Sequence, residues 1–202
     1  NCNILITNKN NTIIIRGNSF KPPMKDLNCG NSGSTARMLM GLLVGQKLNF
    51  SLTGDKSLSK RPMKRIIDPL AIMGAEIKSN NSIPIKVKTK SVKSINYNNE
   101  TKSAQVKSAI IFASLASNKY SFISFNEYTR DHTERMMKSI GFDIIIEKKK
   151  VSVRKSTINK GFKLNVPGDI SNASFIIAAA MIIPDSNIII KNVLYNKTRN
   201  GF

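Results

Sequence analysis

The sequence predicts an α/β (α+β) protein assembled from repeated βαβαββ units. Three observations carry that prediction. Arg61, Arg130 and Arg199 recur every 69 residues, and Ser34, Ser103 and Asn172 recur at the same interval. Each round shows the same order of patterns: a helix start rich in small polar residues, an alternating strand, a second helix, then a hairpin. A fixed period of this kind marks one folding unit used several times, with neighbouring units sharing a core.

The elements follow in order. Residues Asn3 to Arg16 read as a hairpin, with Ile4-Leu5-Ile6 and Ile13-Ile14-Ile15 as strands around Asn8-Lys9-Asn10-Asn11. Lys21-Pro22-Pro23 interrupts the pattern before the first helix start, Asn31-Ser32-Gly33-Ser34-Thr35-Ala36-Arg37. That stretch combines helix-starting side chains with a run, Met38 to Leu43, that reads as a buried helix ending near Gly45. Leu48 to Leu52 alternates as a strand. Ser59-Lys60-Arg61-Pro62 opens a second helix with Pro62 in its first turn, where the missing N–H costs nothing. Met63, Ile66, Ile67, Leu70 and Met73 mark its buried face, and Gly74 stops it. Ala75-Glu76-Ile77 and Ile83 to Val87 form the hairpin.

The second round begins with Ser103-Ala104-Gln105-Val106-Lys107-Ser108, which opens a small-residue helix through Ala116. It continues with a strand at Tyr120 to Phe125, a helix from Thr129 to Gly141, and a hairpin of Ile144 to Ile146 and Val151 to Val153. Asp131 and Glu134 stand as a capping box at the start of that helix. A third round begins at Gly168-Asp169-Ile170-Ser171-Asn172-Ala173, with a helix over Phe175 to Met181, a strand over Asn187 to Ile190, and Thr198-Arg199.

Equivalent helix starts in packed units point the same way. The repeat therefore predicts a rim holding Asn31 to Ser34, Arg61, Ser103 to Gln105 and Arg130, with no carboxylate in those motifs. Helix N-termini offer unpaired N–H groups and the positive end of the macrodipole. Arg grips phosphate or carboxylate with two parallel bonds, and Ser and Gln suit hydroxyl or phosphate oxygens. Such a rim fits small phosphorylated acids.

Composition bounds the alternatives. At 202 residues and 41% apolar content the chain can bury a core. Its longest apolar run, Phe175 to Ile183, falls far short of a membrane span, and no signal-peptide pattern opens the chain. Cys2 and Cys29 have no metal-like or redox spacing, so a reducing compartment, the cytoplasm, is expected and no metal is called. Lys+Arg 32 against Asp+Glu 12 gives a net charge of +20. That excess is scattered, apart from Lys148-Lys149-Lys150, and aromatic residues are few, which disfavours a nucleic-acid surface. The chain begins at Asn1 and stops at Gly201-Phe202, directly after a Thr-Arg pair, and is read as a fragment with both ends missing.

Five motifs in order resemble the 5-enolpyruvylshikimate-3-phosphate (EPSP) synthase family. They are Gly30-Asn31-Ser32-Gly33-Ser34-Thr35-Ala36-Arg37; Leu52-Thr53-Gly54-Asp55-Lys56-Ser57-Leu58-Ser59-Lys60-Arg61-Pro62-Met63; Ser103-Ala104-Gln105-Val106-Lys107-Ser108-Ala109; Thr129-Arg130-Asp131-His132-Thr133-Glu134-Arg135-Met136; and Pro167-Gly168-Asp169-Ile170-Ser171. The Ser-Ala-Gln and Arg-Asp-His-Thr-Glu forms resemble the branch that includes glyphosate-tolerant bacterial members, whereas Gly33 itself resembles the glyphosate-sensitive state.

The resemblance implies the enolpyruvyl transferase type of fold, with two lobes of three units each and substrates bound between them. Residues 1–166 would be most of one lobe, and 167–202 the truncated start of the second. It implies transfer of the enolpyruvyl group of phosphoenolpyruvate to the 5-hydroxyl of shikimate 3-phosphate, with release of phosphate. No cofactor, metal, nucleic-acid partner or membrane is expected, and the complete enzyme is expected to be a monomer. By position, Gly33, Arg61 and Gln105 would contact phosphoenolpyruvate, and Ser103, Ala104, Gln105 and Arg130 would hold shikimate 3-phosphate. The family's Lys-Ser motif, its catalytic Asp and Glu, and further Lys and Arg residues have no counterpart here. No catalytic residue is therefore assigned, and the fragment is expected to bind weakly without turnover. A related transferase acting on UDP-N-acetylglucosamine shares the fold. The Ser57-Leu58-Ser59-Lys60-Arg61-Pro62-Met63 run and Ser103-Ala104-Gln105 favour the shikimate enzyme, and an RNA-binding module is the remaining alternative.

Some residues are given structural expectations. His132 is read as a capping or packing residue, Asp169 as the cap of the third helix, and Met38, Met40, Met63 and Met73 as core. Arg37 could bridge a neighbouring carboxylate and is left out of the site.

Overall fold

A computed structural model of the chain describes residues 4–10, 12–17, 19–158 and 161–199. Strands β1 (Leu5–Lys9) and β2 (Thr12–Arg16) form the expected antiparallel hairpin, exposed on both faces. The next unit runs β3 (Leu27–Asn28), α1 (Gly33–Gly45), β4 (Phe50–Thr53), α2 (Lys64–Ile72), β5 (Ala75–Lys78) and β6 (Ile85–Thr89). The following unit runs β7 (Asn96–Asn99), α3 (Ala104–Ser114), β8 (Ser121–Phe125), α4 (His132–Ser139), β9 (Ile144–Glu147) and β10 (Lys150–Val153).

The two sheets have the same order, β3-β4-β6-β5 and β7-β8-β10-β9. In each, the short first strand pairs parallel to the second and the hairpin pairs antiparallel. This is the βαβαββ unit, twice. The sequence pattern does not reveal the opening strands β3 and β7, because Leu27–Asn28 is too short to alternate and Asn96–Asn99 is almost wholly polar.

One core serves both units. Met40, Leu43, Leu52, Met63, Ile66, Leu70 and Met73 from the first join Ile110, Ile111, Ile123 and Val153 from the second, all fully buried. Helices α1 and α3 meet backbone to backbone. A Cβ on Gly41 would come within 2.2 Å of the Ala109 carbonyl oxygen, and one on Gly45 within 2.6 Å of the Phe112 carbonyl oxygen. Glycine is needed at Gly41 for this approach. Contacts advance along both helices in the same direction, so the two N-termini lie side by side.

Several expectations need correction. Pro62 lies ahead of α2, which starts at Lys64 after a 3-10 turn at Leu58–Lys60, and a different proline, Pro69, sits inside the helix. The capping box at Asp131 and Glu134 does not form: the Asp131 side chain makes no cap bond, and Glu134 is buried against Lys107. Asn187 to Ile190 is not a strand. Among the described residues no hairpin follows to pair with it, and only an isolated bridge joins Gly168 to Val193. The helix there, α5 (Ile170–Ile182), does form, with Phe175, Met181 and Ile182 largely exposed.

Candidate functional site

The first helix start is shaped by a tight turn. Gly30 has φ +54, a conformation that side chains with a Cβ adopt at a cost. Ser32 then caps α1, its hydroxyl accepting from the Thr35 backbone N–H at 3.1 Å. Asp55, from the turn after β4, accepts from the Leu58 N–H at 2.7 Å and from the Asn31 amide at 2.7 Å. The Leu58 N–H bond is the main reason its carboxyl lies below the ordinary range.

Arg61 reaches this start from the turn before α2 and donates to the Asn31 carbonyl oxygen at 2.6 Å. Arg37, one turn into α1, is buried beside it. Its Nη1 donates to the Gln105 carbonyl oxygen at 2.7 Å, and its Nη2 lies 3.4 Å from the Pro62 carbonyl oxygen. Gln105 in turn donates from its amide to Ser34 Oγ at 2.6 Å. Burial, and then the charges of Arg65 and Arg61, pull the Arg37 guanidinium below its ordinary pKa. The expectation that Arg37 would meet a carboxylate is therefore corrected: its partners are an amide and a backbone carbonyl, and it belongs among the site residues.

Two adjoining cavities open at the paired starts of α1 and α3. One, about 390 Å³, is lined by Arg65, Lys102, Ser103, Gln105, Thr129 and Arg130, among others. The second, about 230 Å³, is lined by Ser34, Met38, Gln105, Ser108, Arg130 and His132, among others. Ala104, Gln105 and Arg130 belong to both, and no carboxylate lines either. Ser103 is the N-cap of α3, but its hydroxyl makes no cap bond. Of the residues expected from the sequence, Ser103, Ala104, Gln105 and Arg130 thus share one hollow. Gly33 and Arg61 stand at its α1 side, linked to it through Arg37: a Cβ on Gly33 would lie 2.9 Å from Arg37 Nη1 and 3.3 Å from Arg61 Nη1.

The start of α4 closes the other side. Asp131 turns away from Arg130. Its carboxylate accepts from Asn196 at 2.8 Å, Thr198 at 3.1 Å and Arg135 at 2.7 Å. His132 Nδ1 lies 3.2 Å from the Asn196 amide, a packing position of the kind expected, although the ring also lines the smaller cavity. Asp169 caps α5 as expected, accepting from the Ser171 N–H at 2.9 Å.

Beneath the hollow, Lys107 and Glu134 form an ion pair at 2.5 Å with both side chains about 1% exposed. The Lys107 ammonium lies 4.8 Å from the centre of the Phe125 ring. Among the described residues no group of three or more His, Cys, Asp and Glu could hold a metal ion, and no helix is long and apolar enough to cross a membrane.

The model of one family, EPSP synthase (3-phosphoshikimate 1-carboxyvinyltransferase), matches residues 2–202, nearly the whole chain. The chain belongs to the EPSP synthase family. Among curated relatives, each named 3-phosphoshikimate 1-carboxyvinyltransferase, it is 46% identical to that of Staphylococcus haemolyticus over 188 residues, 91% of this chain and 44% of the relative. It is 44% identical to that of Caldicellulosiruptor saccharolyticus over 203 residues, 96% of this chain and 47% of the relative. A solved EPSP synthase from Acinetobacter baumannii superposes with TM-score 0.87 at 36% identity, covering 99% of this chain and 47% of that one. The chain thus spans a little under half the length of these relatives, and its fold is the family's mixed α/β enolpyruvyl transferase type.

Sequence reasoning missed Arg37, which bonds Gln105 from beside the hollow, and Arg65, Lys102, Tyr128 and Thr129 on the lining of the larger cavity. Arg65 is the second residue of α2, between the exposed Lys64 and the buried Ile66, where a pattern reading takes it for a solvated charge. Its Nε is nonetheless buried without a partner, which only coordinates reveal.

Proposed function

We propose that this chain supplies one substrate-holding part of an enzyme that transfers the enolpyruvyl group of phosphoenolpyruvate to the 5-hydroxyl of shikimate 3-phosphate, releasing phosphate. The observation that carries the reading is the carboxylate-free hollow shared by Ser103, Ala104, Gln105 and Arg130, with Arg61 and Gly33 at its edge. Two anionic substrates repel each other. A preorganised surface of guanidinium groups and helix N–H donors offsets that repulsion and holds them within reach.

The chemistry requires protonation at C3 of phosphoenolpyruvate and addition of the 5-hydroxyl oxygen at C2 with loss of the hydroxyl proton, giving a tetrahedral intermediate. Elimination then removes a C3 proton and the phosphate, and the C2=C3 double bond re-forms. In this reading Ser103, Ala104, Gln105 and Arg130 hold shikimate 3-phosphate. Gly33, Arg61 and Gln105 hold phosphoenolpyruvate. The proton transfers are assigned to no residue of this chain. Residues 1–166 belong to one lobe and 167–202 open a second. The enzyme works in the cytoplasm as a monomer, without nucleic acid or membrane partners. The named relatives and the matched family support the reaction, and the hollow's chemistry supports the assignment of residues.

The test is a nuclear magnetic resonance titration of the chain with shikimate 3-phosphate and, separately, with shikimate. The expected result is saturable shifts at Ser103, Gln105 and Arg130 with the phosphorylated ligand and at least tenfold weaker binding without the phosphate. Equal affinities, or shifts confined to another face, would overturn it.

A further inference from the structure

We infer that Arg37 is a positioning residue for this site, acting on substrate through the Gln105 carboxamide; the inference rests on the function proposed above. A guanidinium only donates hydrogen bonds, whereas a carboxamide has one accepting and one donating end. Because Arg37 Nη1 donates to Gln105 at 2.7 Å, the carbonyl end of that side chain is committed to Arg37. The NH2 group must then turn toward Ser34, to which it donates at 2.6 Å, and toward the two cavities that Gln105 lines. Arg37 thereby decides that Gln105 presents donors, the polarity that phosphate and carboxylate oxygens need.

The surroundings keep Arg37 available for this task. It is 6% exposed, and among the described residues it makes no ion pair with a carboxylate. Its second arm reaches the Pro62 carbonyl oxygen, in the turn that also carries Arg61. One buried side chain thus ties the Arg61 turn of the first unit to the Gln105 helix start of the second. A lysine could keep the charge but not both arms of the fork. The same geometry gives Gly33 a second role. A methyl group there would meet Arg37 Nη1 at 2.9 Å and must displace it, so Gly33→Ala disturbs Gln105 without touching it.

The experiment is a double-mutant cycle on shikimate 3-phosphate affinity, read by nuclear magnetic resonance titration of the 202-residue chain. The variants are Arg37→Lys, Gln105→Ala and the pair, each first shown by circular dichroism to keep the wild-type fold. Arg37→Lys is expected to weaken binding about tenfold in the wild-type background and less than twofold once Gln105 is alanine. Should Arg37→Lys fail to fold, Gly33→Ala takes its place in the same cycle with the same expectation. Equal losses in both backgrounds, or no loss at all, would overturn the inference while leaving the proposed function standing. Absence of binding by the wild-type chain would overturn both.

Discussion

Arg61 and Arg199 are the same residue of the repeat two periods apart, and so are their partners Asn31 and Asp169. Both pairs form, but they differ in charge. Arg61 donates to a neutral carboxamide at 2.6 Å, whereas Arg199 forms an ion pair with Asp169 at 2.9 Å and also bonds Ser171. The scaffold therefore holds an arginine in place in either case, and the partner decides whether its charge remains for a ligand. Asn31 also stands between Arg61 and the Asp55 carboxylate, bonding one with its oxygen and the other with its nitrogen. Among the described residues Arg37, Arg61, Arg65 and Arg130, around the paired starts of α1 and α3, form no ion pair with a carboxylate, whereas Lys102 beside them pairs with Glu127 and, at α5, Arg199 pairs with Asp169.

The largest expected effect tests where in the first two units a charge must be neutralised. Lys107 sits below the hollow rather than at its mouth, and it alone of the neighbouring cations is fully buried and paired. Lys107→Met leaves the Glu134 carboxylate buried without its partner, which is expected to cost about 3–5 kcal/mol by urea unfolding. The double change Lys107→Met with Glu134→Leu should recover most of that loss. Arg61→Met, at the mouth, should stay within about 0.5 kcal/mol of wild type. A comparable loss in Arg61→Met would mean that mouth and floor do not differ as the pairing suggests.

A smaller effect addresses the amide itself. Asn31→Asp gives Arg61 the kind of partner that Arg199 has. Phosphoenolpyruvate affinity, measured by calorimetric titration, is expected to fall about tenfold, near 1.4 kcal/mol. The opposite change at the third start, Asp169→Asn, should leave that affinity within twofold. Equal responses to the two changes would dissolve the distinction between the starts.

Much of this arrangement was legible in the sequence, and the reason is geometric. A period of 69 residues forces equivalent helix starts to align once the units pack, so Ser34, Ser103, Arg61 and Arg130 could be placed on one rim without coordinates. What could not be read were pairings between units. Whether Arg37 meets a carboxylate or Gln105, and whether Glu134 caps its own helix or crosses to Lys107, depends on how closely α1 approaches α3 and how α4 sits against it. The local pattern at Asp131-His132-Thr133-Glu134 favours a capping box. It loses because a buried lysine leaves an uncompensated charge unless Glu134 answers it. The strand expected at Asn187 to Ile190 fails for a related reason, since a strand needs a neighbour and propensity alone does not provide one.

The smallest expected effect concerns the carboxylate that could have neutralised Arg130 but does not. Asp131 is adjacent in sequence, yet its oxygens are occupied by Asn196, Thr198 and Arg135. Burial alone would raise its carboxyl pKa. The bonds from Asn196, Arg135 and Thr198 outweigh that, and the net position lies below the ordinary value. A carboxyl depressed in the folded state binds its proton less readily there than in the unfolded chain, where the value is about 3.9. Its stabilising contribution is therefore complete above that unfolded value and fades as the pH falls through the folded one. Asp131→Asn keeps the shape but cannot ionise. By calorimetry its melting temperature should lie about 2–4 °C below wild type at pH 7, with the gap closing as the pH is lowered below the unfolded carboxyl value of about 3.9. Parallel melting profiles for the two proteins across that range would show that Asp131 is not held by the third unit, and that the freedom of Arg130 has another cause.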